Sequence, residues 1–531
     1  MRVTEVPARA GDAASARKRQ TRGMSHRGSS EMSLRPRFIC RAGLTALVLA
    51  ASFGISACSN ALSAQLAPPR SPVITVQSSV IGRAVPAGFV GLSMEYRGLE
   101  AYVGQNPKAL SPPFVQLLRN LAPNQPFGLR IGGDSTDWTW YPLAHVSRPP
   151  GVRYDLGPNW ARVAHALVQT LNARLVLGVN LEANSRTVAA GEARALLGGV
   201  GRRYVQALEL GNEPELYPSF NWYRTPGGVG VKGRPRGYAF PNYLGDFSSF
   251  ARALPPVALA GPSAGGPQYE SRLGSFVRAE PRVGLVTLHA YPLKHCTRST
   301  VVTPGQLLSD ASEAGLANGQ SSYVRIADRR HLPLRIDELN GVSCGGKKGV
   351  SNAFVSSLWM LDTLYQMARV GVAGVNIHTV PNTINEVIGS SQVHGRWQAK
   401  VHPEYYGMMM FAQAAPPGSR LLRVSSAADR GVQSFATRAP DGHVRVVVIN
   451  RDRGSRTVAV RIPSGHGPAV LERLEAPGLQ AESGVTLGGQ SFGAQTTTGR
   501  LAGAPRLGTI KPSSGSYPVT LPGSSAAMLT L

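Results

Sequence analysis

From Phe89 to about residue 415 the chain alternates short apolar runs with longer stretches of helical period. The apolar runs are Phe89–Glu95, Phe127–Gly132, Leu175–Leu181, Val205–Glu213, Val257–Gly261, Val283–His289, Leu334–Glu338 and Gly374–His378. They are rich in Val, Leu and Ile, as parallel strands buried on both faces are. Between them apolar residues recur three and four positions apart. Trp160, Val163, Ala164, Leu167, Val168 and Leu171 line up this way on one helical face, and residues 353–370 and 403–414 behave similarly. Eight strands, each followed by a helix, predict an α/β chain closed into a (β/α)8 barrel over residues 87–415.

After Pro416-Pro417-Gly418 the period drops to two, from His443 to Ile449 and from Arg456 to Ile462. Further short strands occur near Val485 and over Tyr517 to Leu531, between turns of Gly, Pro and Ser. Residues 416–531 therefore predict a β-sandwich. Residues 71–86 also read as strand and are expected to pair with it.

The N-terminal region has a different pattern. Arg35 to Arg41 is positive and Ala42 to Ile55 is apolar, too short to cross a bilayer, which reads as an export signal. It ends in Ile55-Ser56-Ala57-Cys58, which resembles a lipoprotein signal in which Cys58 receives the lipid; cleavage between Ala57 and Ala64 is the alternative. Residues 1–58 are thus assigned to leader and signal peptide, with Met24 and Met32 as alternative starts, and residues 59–70 to a linker. An exported monomer is expected, in the cell envelope or secreted, touching the membrane only through that lipid.

With 531 residues, 42% of them hydrophobic, the chain can bury a large core. It carries 56 Lys and Arg against 30 Asp and Glu, and beyond residue 57 the excess is still +19. Such a charge attracts nucleic acid, anionic membrane or an acidic substrate. The arginines are scattered, with no basic run and no aromatic-rich RNA motif, so no nucleic-acid partner is expected. Of four cysteines, Cys40 lies in the signal and Cys58 is the lipid candidate. Cys296 and Cys344 remain, either to pair in an oxidising compartment or to stand as unrelated thiols. There is no CxxC, no HExxH and no His/Cys cluster, so neither metal nor cofactor is expected.

A barrel of this type carries its chemistry at the C-terminal ends of the strands. The fourth run ends Gly211-Asn212-Glu213-Pro214 and the seventh Asp337-Glu338-Leu339-Asn340. Glycosidic cleavage needs one carboxyl group to protonate the departing oxygen and another to attack the sugar, about 5–5.5 Å apart in retaining enzymes. Glu213 is the candidate acid, its pKa raised in a less polar setting, and Glu338 the candidate nucleophile, kept ionised by hydrogen bonds. Asn212 is placed to donate to a sugar 2-hydroxyl and Tyr291 to hydrogen-bond the nucleophile. Glu95 and Asp137 are expected to accept from sugar hydroxyls, Arg130 to support the nucleophile, and Trp138 and Trp140 to stack on sugar rings.

One competing signal is Gly261-Pro262-Ser263-Ala264-Gly265, a G-x-S-x-G pattern that would make Ser263 the nucleophile of an esterase. Pro262 suits the required sharp turn poorly, and no clear acid and histidine follow at late strand ends. The stretch is read as the loop after strand five, its glycines leaving room for sugar. A lectin-like barrel without catalysis is the other alternative; the two intact glutamates argue against it.

Gly91-Leu-Ser-Met-Glu95, Leu129-Arg-Ile-Gly-Gly-Asp-Ser-Thr-Asp137, Glu209-Leu-Gly-Asn-Glu-Pro214, His289-Ala-Tyr-Pro292, Ile336-Asp-Glu338 and Tyr405-Tyr-Gly407 together resemble glycoside hydrolase family 79, the β-glucuronidase and heparanase family. The resemblance spans about residues 72–531. It implies double displacement, with Glu213 as acid/base and Glu338 as nucleophile, releasing glucuronic or 4-O-methylglucuronic acid from an oligo- or polysaccharide. Endo cleavage of the heparanase or hyaluronidase kind is the alternative. It also implies that Tyr406 and Gly407 hold the uronic carboxylate. The loop from Thr225 to Pro241 would close one end of the cleft or offer Lys232, Arg234 and Arg236 to further acidic residues. Cys296 and Cys344 follow strands six and seven, where a disulfide would steady the rim.

Overall fold

A computed structural model describes residues 72–297, 299–426, 431–463 and 465–531. The signal, the linker and Cys58 lie outside the described residues.

Eight parallel strands form a closed barrel: Val90–Glu95, Gly128–Gly132, Arg174–Val179, Val205–Leu210, Leu259–Ala264, Val283–Ala290, Leu334–Leu339 and Gly374–Thr379, referred to here as strands one to eight. Nearly every strand residue is buried, which is why these segments read as continuous apolar runs. The fifth strand departs from expectation. It runs through Ala264, so Gly261-Pro262-Ser263 lies inside the barrel wall and not in a following loop.

The outer helices bury their stripes against this wall. Pro158–Thr170 opens with proline at its first position, where no backbone N–H is needed, and buries Trp160, Val163, Ala164, Leu167 and Val168. Each such side chain contributes roughly 1.5–3 kcal/mol of burial. Phe354–Val370 is buried over nearly its whole length, because it packs on the helix Pro403–Ala414 and meets the C-terminal sheet through Tyr365. It stops at Gly371, whose φ of 90° forms a left-handed cap.

The C-terminal region is one mostly antiparallel sheet of ten strands, continuous in its hydrogen bonding. Val73–Ile81 joins it between Arg420–Ser426 and Arg456–Arg461, so the expected pairing of the N-terminal strand is formed. Side chains from opposite ends of the strand path, such as Val458, Val519, Leu471 and Leu529, share one apolar cluster. The expected sandwich is therefore a single sheet curled over its own core. Tyr365 stacks on Phe435 with ring centroids 4.5 Å apart, locking the sheet to the barrel.

Candidate active site

The strand ends bring the chemistry together. Strand four stops at Leu210, and Gly211-Asn212-Glu213 turns out of the wall. Gly211 has φ 74°, and a Cβ there would meet the Tyr217 hydroxyl at 2.2 Å, so the turn requires glycine. Glu213 itself is left-handed at φ 44°, a strained setting typical of functional positions, which aims its carboxyl across the mouth. Gly265 leaves room for it; a Cβ there would stand 2.4 Å from Glu213 Oε1.

Glu338, in strand seven, is held on both oxygens. Tyr291 donates to Oε1 at 2.8 Å and Arg130 Nη1 to Oε2 at 2.7 Å, with His378 Nδ1 3.4 Å from Oε1. Burial alone would raise its pKa. The charges of His378, His289 and Arg130, with the Tyr291 hydrogen bond, overcome that and hold the carboxylate well below its usual range.

A single imidazole stands between the two glutamates. His289 Nδ1 is 3.1 Å from Glu213 Oε1 and 4.0 Å from Glu338 Oε2. Burial works against its charge, but Glu338, the Glu213 hydrogen bond and Asp337 push its pKa up to about 10, so it is cationic at neutral pH. The two carboxyl groups thus share one positive neighbour in unequal surroundings. Glu338 is fixed at both oxygens, whereas hydrogen bonding on Glu213 is confined to Oε1 among the described residues.

Beneath them Arg130 is wholly buried and bonds Glu209, Ser93, Glu338, Asn212 and Ser263. Asp337, 3.2 Å from Arg130 Nε, has its pKa raised by burial and by the charge of Glu209, against the pull of Arg130. One guanidinium therefore aligns the nucleophile and Asn212, the neighbour of the acid/base.

Residues 434–528 match the glycosyl hydrolase family 79 C-terminal beta domain. The chain is a glycosyl hydrolase with a family 79 C-terminal domain. It is 23% identical to a β-glucuronidase of Aspergillus niger, over 83% of this chain and 90% of that one. It is 22% identical to a β-glucuronidase of Neurospora crassa, over 65% and 67% respectively. In fold it is similar to a 4-O-α-L-rhamnosyl-β-D-glucuronidase of Fusarium oxysporum, with a TM-score of 0.68, 20% identity, and coverage of 86% of this chain and all of that one.

Within this hydrolase the structure places Glu213, Glu338, Asn212, Tyr291, Arg130 and Glu95 at one mouth. Glu95 accepts from Ser135 N at 2.7 Å and lies 3.2 Å from His378 Nε2. Asp137 does not reach a sugar. Its carboxylate is filled by Leu181 N, Glu182 N, Asn212 N and the Tyr217 hydroxyl, which makes it a clamp tying strands three and four together.

Tyr406 and Gly407 are also displaced from the expected role. Both sit within the helix Pro403–Ala414; the Tyr406 hydroxyl accepts from Phe492 N, and Gly407 exists so that the helix can meet Ser357, since a Cβ there would lie 2.1 Å from its carbonyl oxygen. Trp140 is buried and donates to Asp155, and Trp138 carries the guanidinium of Arg153 3.8 Å above its ring. Arg234 is an internal anchor, bonded to Asp246 and to the carbonyls of Leu181 and Glu182, while Lys232 donates to Ser219 O.

Ser263 is the most instructive correction. Its Oγ lies 3.2 Å from His289 Nε2, whose other nitrogen faces Glu213, the order of a serine-histidine-acid relay. Yet the side chain is wholly buried and hydrogen-bonded to Arg130, so no ester can reach it. Cys296 and Cys344 form a disulfide joining the loops after strands six and seven.

Asp134, His289 and His378 escaped sequence reasoning. Asp134 accepts from Asn212 Nδ2 at 3.3 Å, and burial together with Glu95, Glu338 and Glu213 raises its pKa to about 7. It lies three residues from Asp137 on the turn Gly133–Thr136, and nothing in the sequence says which of the two faces the cleft. His378 closes strand eight, and histidine at the end of the last apolar run was the available signal.

Proposed function

We propose that this hydrolase is a retaining β-glucuronidase, with Glu338 as nucleophile and Glu213 as acid/base. The observation that carries the reading is the unequal setting of the two carboxyl groups around His289. Glu338, held ionised, forms the bond to the anomeric carbon as the glycosidic C–O bond breaks, and Glu213 gives its proton to the departing oxygen. In the second step Glu213 takes a proton from water, the oxygen bonds to the anomeric carbon, and Glu338 is released. Arg130 and Tyr291 keep the nucleophile aligned, and Asn212 supports the 2-hydroxyl.

With Tyr406 in the core, another group must meet the uronic carboxylate. Of the three cations around Glu338, Arg130 and His289 have no exposed side-chain surface, whereas His378 is 15% exposed. Its ring nitrogens are already taken, however, by Glu95 Oε1 at 3.2 Å and by the Tyr291 hydroxyl at 2.9 Å, so the sugar carboxylate is met by a group outside this cluster. The Arg35–Arg41 and Ala42–Ile55 pattern with Cys58 supports export as a lipoprotein.

The test is hydrolysis of an aryl β-glucuronide beside the matching aryl β-glucoside. The reading expects cleavage of the first with strong preference over the second, abolished in Glu338→Gln. Equal turnover of both, or activity surviving that substitution, would remove it.

A further inference from the structure

Arg153 is an exposed cation that the reaction described above leaves unused, and its guanidinium is held by two contacts. Its guanidinium lies 3.8 Å over Trp138, and Nη2 donates to the Trp222 carbonyl at 3.1 Å. Its backbone N–H donates to Trp138 O at 2.7 Å. The supports are themselves tied to the catalytic turn. Trp222 Nε1 donates to Asp137 O at 2.7 Å, and the Asp137 carboxylate accepts from Asn212 N at 3.0 Å. Arg153 is therefore built onto the same scaffold that sets Asn212 and Glu213.

Neither Arg153 nor Arg97, an exposed neighbour whose charge it feels, forms an ion pair among the described residues. The two carboxyl groups within electrostatic reach of Arg153 are Asp134 and Glu182. Burial, with the charges around them, raises Asp134 to about 7 and Glu182 to about 9, so their compensation of the guanidinium is weak at neutral pH. A stacked, preoriented guanidinium with free N–H groups fits a carboxylate well, because the planar fork matches two oxygens at once.

We propose that Arg153, with Arg97 beside it, recognises the carboxylate of an acidic sugar on the leaving-group side of the scissile bond. Glu213 protonates the departing oxygen, so the leaving sugar lies on the Glu213–Asn212 side of the cleft, and the chain of contacts through Asp137 and Trp222 places Arg153 there. This rests on the glucuronidase reading and refines it. The substrate favoured by this site is a glucuronide of a second uronic acid, a contact that Arg234, turned inward onto the carbonyls of Leu181 and Glu182, does not supply.

The experiment compares two disaccharides in which β-glucuronic acid is linked to a uronic acid, one with that second carboxylate free and one with it methyl-esterified, alongside an aryl β-glucuronide. The wild-type enzyme is expected to favour the free acid over the ester about tenfold in kcat/KM, the size of one charge-assisted contact. Arg153→Gln, which keeps a donor for Trp222 O without the charge, should abolish the preference, and Arg153→Lys should keep part of it. A preference unchanged in Arg153→Gln, or an equal loss on all three substrates, would overturn the inference while leaving the glucuronidase reading intact. No cleavage of the aryl glucuronide by the wild-type enzyme would instead remove the reading beneath it.

Discussion

Arg130 Nη1 lies 2.7 Å from Glu338 Oε2, on a guanidinium with no exposed surface whose remaining N–H groups bond Glu209, Asn212, Ser93 and Ser263. Its five N–H groups meet five partners from three nitrogens, whereas a lysine ammonium has three donors on one nitrogen. Arg130→Lys should therefore leave buried carboxylates underbonded, costing roughly 3–5 kcal/mol of stability. The surviving enzyme should show its acidic limb of kcat/KM at higher pH, because Glu338 loses a contact that favours its ionised form. Thermal unfolding and a pH–rate profile check the two halves separately.

Tyr291→Phe removes one hydrogen bond from Glu338 Oε1 and nothing from its Oε2. A hydrogen bond to a charged group is worth about 1.5–3 kcal/mol, so kcat should fall about 10- to 100-fold. The acidic limb should again move upward, with little change in melting temperature, which distinguishes this variant from Arg130→Lys.

Asp137→Ala strips four donors of their acceptor at once. Because each buried donor left unsatisfied costs about 1–3 kcal/mol, the protein should be strongly destabilised. If Asp137 were a sugar ligand, the melting temperature would hardly move and KM would rise alone. Asp134→Asn is the matching case in the cleft: stability should be close to wild type while kcat/KM falls.

Away from the cleft, Asp362 is buried in the helix Phe354–Val370 near Glu313 and Arg451, and burial raises its pKa to about 7. A carboxyl group whose folded pKa is raised stabilises fully below its unfolded pKa of about 3.9, and that contribution is lost as pH rises toward 7. Asp362→Asn should thus match wild type near pH 4 and be the more stable above pH 7, by something on the order of 1–3 kcal/mol. Melting temperatures of both proteins across that range check the sign; a destabilised variant at pH 8 would contradict it.

The barrel was legible because each strand is buried on both faces and so writes a short, mostly apolar run, broken chiefly where a side chain such as Arg130, Arg335 or Glu338 enters the buried polar network. Glu213 and Glu338 followed from where those runs stop. The failures share a cause, since sequence gives a position along the chain and not the direction in which a side chain points. Asp134 and Asp137 sit on one short turn, yet one faces the cleft and the other clamps backbone. The family resemblance pointed to Tyr406 and Gly407 as ligands of the uronic carboxylate, but Gly407 marks the close approach of two helices at Ser357. The G-x-S-x-G run was misplaced because its small residues fit a barrel wall as well as a loop, and the histidine that meets Ser263 comes from the neighbouring strand.

The most direct test of the central claim is to treat the enzyme with a 2-deoxy-2-fluoro-glucuronyl fluoride, which forms the glycosyl-enzyme bond quickly and hydrolyses it slowly, and to locate the added mass by peptide mass spectrometry. The account predicts time-dependent inactivation with one label per chain, on the peptide containing Glu338. A label on Glu213, or turnover with inverted anomeric configuration and no label, would contradict it.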